Sequence, residues 1–315
     1  MGESPPPAKW WKSLPAARRT VRLALQVVLT VVALAVVVVK VVGVKNLGES
    51  LRRVQPLPLA AAFGLTLPLI GTRIWKWGFV MRAGGLGLPR RQVASSFLAG
   101  MWLGLIVPGR IGELGRALYL SKGKRAEGLG FAILDRIFDL VVTILGGSLV
   151  YWAIFGGAKG ALATVGSLGI CALVGFLPPL WPLGEKWLNA LPLKRITVPA
   201  FRAATSLRGR AVVWCLALGA LSLFLGGWQF HLVMVGLQPV RLLASLLAFP
   251  ASLMAGVISP TISGVGAREG MVALLFQRLY GTPEVKAAGA VAAFVSFLFN
   301  SVLPAAVGAF FLGRV

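Results

Sequence analysis

Residues 93–116 read VASSFLAGMWLGLIVPGRIGELGR. The first fifteen, Val93 to Val107, are apolar save for Ser95 and Ser96. A helix needs about 20 such residues to cross the ~30 Å hydrocarbon core of a bilayer. This run stops short at Pro108-Gly109. Proline and glycine end a helix and free backbone N–H and C=O groups. Arg110, Glu113 and Arg116 follow at once. Irregular, charged backbone beside an apolar run survives in lipid only when buried in protein or lining a polar cavity. The stretch implies a membrane protein built around a broken helix.

Composition agrees. The chain has 315 residues, 57% of them hydrophobic and 13% charged, with a mean hydropathy of +0.83. A soluble domain carries about 25% charged residues. The apolar runs are long, without the ~10-residue alternation of a transmembrane barrel. The fold expected is an all-α integral membrane protein, a polytopic helical bundle. Full spans read as Val21–Val44, Leu57–Val80, Leu129–Phe155, Ala161–Trp181, Ala211–Val235 and Pro283–Leu312. The second ends in Arg73, Trp75, Lys76 and Trp77, an interfacial cluster at membrane depth or its edge. Two segments are broken, Val93–Leu120 and Leu242–Tyr280. The second is interrupted at Ser259-Pro260 and by Gly264, Gly266, Arg268 and Glu269. The expectation is six full spans plus two re-entrant hairpins, or eight crossings if the hairpins span.

In sequence order, residues 1–20 form a basic interfacial segment with a Trp10-Trp11 pair. Residues 21–181 form a first membrane half with its break near 108–113. Residues 182–210 are a basic connector on the cytoplasmic surface. Residues 211–315 form a second half with its break near 259–270.

The net charge is +23. In a soluble protein this would suggest nucleic acid. Here the Lys and Arg residues sit in loops, where they bias topology and meet anionic headgroups. With each broken segment entering and leaving on one side, nineteen Lys and Arg residues share the side of the N-terminus and eight lie opposite. That asymmetry puts both termini in the cytoplasm and the protein in the cell (inner) membrane. The two hairpins then enter from opposite faces, an inverted arrangement.

Only nine acidic residues exist, and Glu113, Asp135, Asp139 and Glu269 lie in or beside apolar segments. A charge at the bilayer centre costs about 2.5–3.5 kcal/mol on insertion scales and marks a partner or a cavity. Arg110, Arg116, Arg136 and Arg268 are at hand as partners. Asp135 and Asp139 are four apart and share a helix face. Arg136 is rotated ~100° from Asp135 and pairs with another helix. The helix-breaking residues are Pro108, Gly109, Gly112, Pro260, Gly264 and Gly266. A helix restarting after a break aims its N–H groups into the cavity and, with the arginines, favours an anion. Interrupted apolar segments in both halves point to a transporter site near the midplane. The four arginines are the candidate substrate ligands. The four carboxylates are their partners, one of them a candidate for proton coupling. The competing structural reading is that these charges are internal salt bridges that fix helix packing.

The chain offers little for other chemistry. Its cysteines are Cys171 and Cys215, with no CxxC pair, and its histidine is His231. Zinc and iron–sulfur sites lack their ligands, so neither a metal nor any other cofactor is expected. His231 reads as interfacial rather than catalytic. Ser95, Ser96, Ser259 and Ser263 have no nearby histidine for a hydrolase triad. Gly84-Gly85-Leu-Gly87 lacks the Lys-Ser/Thr of a P-loop and reads as a turn. Gly100 and Gly104, four apart, allow close helix packing.

Three motifs in order carry a resemblance. Pro108-Gly-Arg110-Ile-Gly112-Glu113-Leu-Gly-Arg116 resembles the P-x-R-x-G-E-x-x-R motif of the lysylphosphatidylglycerol synthase transmembrane-region family, also called flippase-like membrane proteins. Asp135-Arg136-Ile-Phe-Asp139 resembles its acidic-Arg-x-x-Asp motif. Pro260 to Gly264, with Gly266, Arg268 and Glu269, resembles its second Gly-rich break. The match runs from about Arg73 to Gly308. One departure stands out: many members carry an Arg in the last span before a Pro, and here Phe297 and Asn300 precede Pro304 instead. The resemblance implies movement of an anionic lipid between leaflets, with an anionic phospholipid, polyprenyl phosphate or glycolipid as cargo. Larger members attach a soluble aminoacyltransferase domain. The sequence given ends at Val315, straight after its last span, so a transporter is expected rather than a synthase. Two further classes remain open: an intramembrane enzyme acting on a lipid phosphate, and a non-catalytic lipid-binding scaffold docking through the basic connector.

Overall fold

The computed structural model describes residues 54–106, 108–176, 194–207, 209–259 and 261–311. The expected N-terminal segment 1–20, the Val21–Val44 span, residues 182–193 of the connector and Pro260 lie outside the described residues.

All regular structure among the described residues is helical. Helices α1 (Pro56–Gly64) and α2 (Thr66–Ala83) form one apolar rod interrupted at Leu65. Pro68 has no N–H to offer the Gly64 carbonyl, so the hydrogen-bond ladder breaks there. A turn at 84–89, with Gly85 at φ +83°, leads into α3 (Arg90–Ile106). A 3₁₀ segment follows over Pro108–Tyr119. Then come α4 (Arg125–Phe155), α5 (Gly157–Phe176), α6 (Lys194–Ser206) and α7 (Arg210–Val235). The second broken segment is α8 (Leu242–Ile258) and α9 (Ala267–Tyr280). The last rod is α10 (Pro283–Phe297), a π turn over Leu298–Val302, and α11 (Leu303–Ala309).

Four of these stretches are long and apolar enough to cross a membrane: Pro56–Ala83, Arg125–Ile154, Arg210–Val235 and Pro283–Ala309. The chain is a polytopic helical membrane protein. The last of the four is its central span, with 56% of its apolar window buried against 17% for Pro56–Ala83. Small residues make that position possible. Ala287, Ala288, Ala292 and Ala293 are buried, and a Cβ on Gly289 would stand 2.8 Å from the Phe276 ring. The expected Ala161–Trp181 span falls on α5, which is helical as far as Phe176 but is not one of these four.

Each broken segment folds back on itself. In the first, the 3₁₀ arm returns along α3: a Cβ on Gly112 would sit 2.0 Å from the Leu103 carbonyl, and one on Gly100 would sit 2.8 Å from the Arg116 Cβ. The amide of Gln92 reaches the carbonyl of Tyr119 at 3.4 Å, so the two ends meet. In the second, Gly256 faces Gly264 near the tip, and the Arg241 N–H donates to the Tyr280 hydroxyl at the base (2.8 Å). The tip of the second hairpin, at Ile262–Gly264, packs against the first hairpin, touching both α3 and the 3₁₀ arm.

The bases lie at opposite ends of the bundle. Gln55, at the start of α1, donates its N–H to the Gly236 carbonyl after α7 (2.7 Å). That end also holds the start of α8. The 28-residue rod of α1 and α2 carries the chain about 42 Å away, at 1.5 Å per residue, before α3 begins. The first hairpin therefore starts from the end opposite to the second.

Candidate functional site

The second hairpin's tip is an irregular stretch that supplies its own hydrogen bonds. Ser263, Gly264 and Gly266 all have positive φ, at +53°, +78° and +89°. Ser263 is the sole non-glycine residue among the described ones in that region, and it is buried. Strain of this kind persists only where surrounding structure enforces it. Thr261 donates its hydroxyl to the Val265 carbonyl (2.9 Å) and its N–H to Ser259 Oγ (3.2 Å). Glu269 accepts the Gly266 N–H at 2.6 Å, capping α9. Glu269 thus works on the backbone at the tip.

The first hairpin places its charges by glycine packing. Gly100 and Gly104 on α3 face the returning arm, and a Cβ on Gly104 would lie 2.2 Å from Glu113 Cγ. Their lack of side chains lets Glu113 and Arg116 lie flat against α3. Both are buried.

Helix α4 meets these residues from the other side. Asp135 accepts from Arg116 at 2.8 Å and from Lys76 at 2.9 Å. Lys76 also bonds Asp139, which lies one turn along the same face. Arg136 pairs across to Glu113 and approaches Asp139 at 3.8 Å. Arg116 further donates to the Ala132 carbonyl (3.1 Å), with its guanidinium 4.1 Å from the centre of the Trp77 ring. Cation–π contact of this kind is favourable in a desolvated setting. Trp77 in turn donates to Ser96 Oγ at 3.0 Å. Three cations and three carboxylates therefore alternate through one network joining α2, α4 and the first hairpin.

Lys76 is the member that the linear reading misplaces. It is 2% exposed, at the centre of the network rather than in an interfacial cluster. Its neighbours separate in the same way: Trp77 is fully buried and Trp75 is 56% exposed. The signal was helical phase. Leu69, Lys76 and Val80 are spaced i, i+7, i+11, and all are buried.

A cavity of about 360 Å³ opens beside this network. Its charged wall carries Arg73, Lys76, Arg136, Glu113, Asp135 and Asp139. Its other wall is apolar, with Phe249, Leu253 and Met254 of α8 and Ile137 of α4. Ile133, Leu140 and Val257 line it too and are themselves exposed, so it opens sideways between α4 and α8. Side-chain exposure grades its charges. Arg136 (29%) and Asp139 (37%) are within a ligand's reach, while Lys76 and Asp135 (3% each) and Arg116 (1%) are sealed behind them.

Arg268 stands apart from this group. It lines a second, smaller cavity with Arg73, Ser252, Ser296, Asn300 and Ser301. Its guanidinium packs 5.3 Å from the centre of the Phe297 ring. Asn300, at the departure from the motif in the last span, is buried in the π turn. Thus Glu113, Asp135, Asp139 and Arg136 share the large cavity. Arg116 backs it, and Arg268 and Glu269 belong to the second tip. Arg110 and Pro108 lie on the 3₁₀ arm, and their side chains fall outside the described residues. His231 hydrogen-bonds Ser245 (3.1 Å).

A family model described as Lysylphosphatidylglycerol synthase TM region matches residues 23–308, which takes in both hairpins, α4 and both cavities. No curated protein gives a significant match.

Proposed function

The chain belongs to the lysylphosphatidylglycerol synthase TM region family, and from that premise we propose that it is a lipid translocase that moves an anionic lipid or lipid-linked headgroup between leaflets. The observation that carries this reading is the large cavity: charged inside, apolar on the α8 wall, and open sideways between two helices. A soluble substrate needs no apolar lateral mouth. A lipid does, because its acyl chains remain in the bilayer while its headgroup occupies the polar interior.

In this reading the headgroup phosphate meets Arg136, the most accessible cation of the network, and Arg73 beside it. Glu113 and Asp139 hold Arg136 in place until a phosphate competes for it. Lys76, Asp135 and Arg116 are the fixed backing, and Asp139 is the candidate to take a coupling proton. The two hairpins are re-entrant from opposite membrane faces, within six full spans, and both termini are cytoplasmic. Phospholipid, polyprenyl phosphate and glycolipid cargoes all present an anion on a long tail and fit the same description.

A scramblase-type assay in proteoliposomes tests the reading with fluorescent analogues of each cargo. Arg136→Ala is expected to abolish flipping of the true cargo while the protein remains monodisperse. Flipping at the wild-type rate by that variant would sink the proposal. Turnover of lipid phosphate by the purified protein would instead favour an intramembrane enzyme.

A further inference from the structure

We infer that the smaller cavity, between the tip of the second hairpin and the π turn of the last span, is an extension of the lipid site that reads hydroxyl groups. It takes the uncharged end of the headgroup while the phosphate stays in the large cavity. The inference rests on the translocase reading and narrows its substrate class to a lipid whose phosphate carries a polyol or a sugar.

The two cavities share Arg73, Phe249 and Leu253 in their walls. A phosphate held beside Arg73 therefore has the smaller cavity next to it. What that cavity leaves unmet is hydrogen bonding rather than charge. Its arginines already act on carboxylates, Arg268 on Glu269 and Arg73 on Asp139. Asn300 and Ser296 differ. Asn300 is 6% exposed and Ser296 is 4% exposed, and both line the cavity. The amide oxygen and nitrogen of Asn300 and the hydroxyl of Ser296 have no hydrogen-bond partner among the described residues. Buried polar groups of this kind are normally satisfied. Ser252, also in the wall, donates its hydroxyl to the Phe249 carbonyl (2.7 Å) and can accept through its lone pairs. An amide offers two donors and an acceptor, and a hydroxyl both donates and accepts. Neighbouring hydroxyls of a polyol or sugar satisfy such a set. An ionised phosphate only accepts, which leaves the Asn300 oxygen unpaired. An ammonium only donates, and no carboxylate is among the described residues lining the cavity to balance it. The volume, about 20 Å³, admits a group of hydroxyl size as it stands. Asn300 lies in the π turn, a distortion that recurs at functional sites.

Equilibrium binding to the purified protein in detergent, read by native mass spectrometry, tests the site with four lipids of identical acyl chains. Phosphatidylglycerol and phosphatidylinositol carry hydroxyls beyond the phosphate; phosphatidic acid and phosphatidylethanolamine do not. One of the hydroxyl-bearing pair is expected to bind at least about fivefold tighter than the other two lipids, the worth of one net hydrogen bond. Asn300→Leu is expected to bring that lipid's affinity down to that of phosphatidic acid. Ser296→Ala, a milder change, lowers the preference in the same direction and keeps the test open should the leucine variant not fold. Equal affinities, tighter binding of phosphatidic acid or phosphatidylethanolamine, or no saturable binding of either hydroxyl-bearing lipid overturns the inference and leaves water as the partner of Asn300. So does a preference undiminished in both variants. Binding is read without transport, so the two failures are distinct. A hydroxyl preference without flipping refutes the translocase alone, and flipping without the preference refutes this inference alone.

Discussion

Replacing Lys76 by methionine separates an interfacial lysine from a buried one. An interfacial Lys snorkels to the headgroups, and its loss costs almost nothing. In the structure the ammonium of Lys76 is shared by Asp135 at 2.9 Å and by Asp139, and the side chain is 3% exposed. Methionine preserves the length of the side chain and removes the charge. The network then holds Glu113, Asp135 and Asp139 against Arg116 and Arg136. Removing one partner of a buried ion pair costs about 3–5 kcal/mol, because the remaining charge is left uncompensated. Asp135 retains Arg116 at 2.8 Å, which places the loss near the lower end, about 3 kcal/mol. At about 2.1 cal/mol/K of unfolding entropy per residue, a chain of 315 residues shifts by ~1.5 °C per kcal/mol, so the melting temperature falls by roughly 4–5 °C. Lys76→Met/Asp139→Asn removes the stranded charge with its partner. It is expected to recover about 1–3 kcal/mol relative to additivity. Reversible unfolding in mixed micelles, or thermal melting followed by size-exclusion fluorescence, reads both values. A Lys76→Met protein within about 0.5 kcal/mol of wild type, the range of surface changes, would refute the buried network. A strictly additive double variant would refute the pairing with Asp139.

Other perturbations address other parts of the molecule. Gly112→Ala forces a methyl to within 2.0 Å of the Leu103 carbonyl in the first hairpin. Overpacking of this kind costs about 1–3 kcal/mol, and an unchanged melting temperature would contradict the close return of the chain. Glu269→Ala removes the acceptor for the Gly266 N–H and is expected to cost about 0.5–2 kcal/mol, as for other lost helix caps. Glu269→Gln keeps an amide oxygen in that place and should retain most of the stability in the same melt. Leu140→Trp with Val257→Trp fills the sideways mouth between α4 and α8. Both positions are exposed, so stability should hold within about 0.5 kcal/mol while lipid flipping falls, and flipping at the wild-type rate would argue against that mouth.

Much of the candidate site was legible because charge in an apolar run is conspicuous. Glu113, Asp135, Arg136 and Asp139 stand out from the sequence for that reason, and all four line one cavity. The pairing of Arg136 outside its own helix follows from helix phase and is met by Glu113. Lys76 escaped because three residues around it, Arg73, Trp75 and Trp77, form a pattern typical of the interface. Composition within that short window outweighed the i, i+7, i+11 stripe that places it inside. Arg268 shows the converse. Its motif suggests the same site as the first hairpin, yet it lines a different cavity with Asn300 and Ser296. No local pattern relates residues about 30 positions apart on separate helices.

Some properties of this protein follow from sequence alone because they depend on local composition. Apolar runs set which segments suit lipid, and proline and glycine set where helices stop. The quoted stretch 93–116 already contains a run too short to cross and a break that frees its backbone. Tertiary structure decided how the breaks are used. Whether a broken helix turns back or continues depends on what packs against it, and here Gly100, Gly104 and Gly112 let the 3₁₀ arm return along α3. Which charge pairs with which depends on distances between elements far apart in the chain, such as Lys76 and Asp139. The separation of one polar region into a large, laterally open cavity and a water-sized one depends on how side chains pack between helices, which periodicity does not encode.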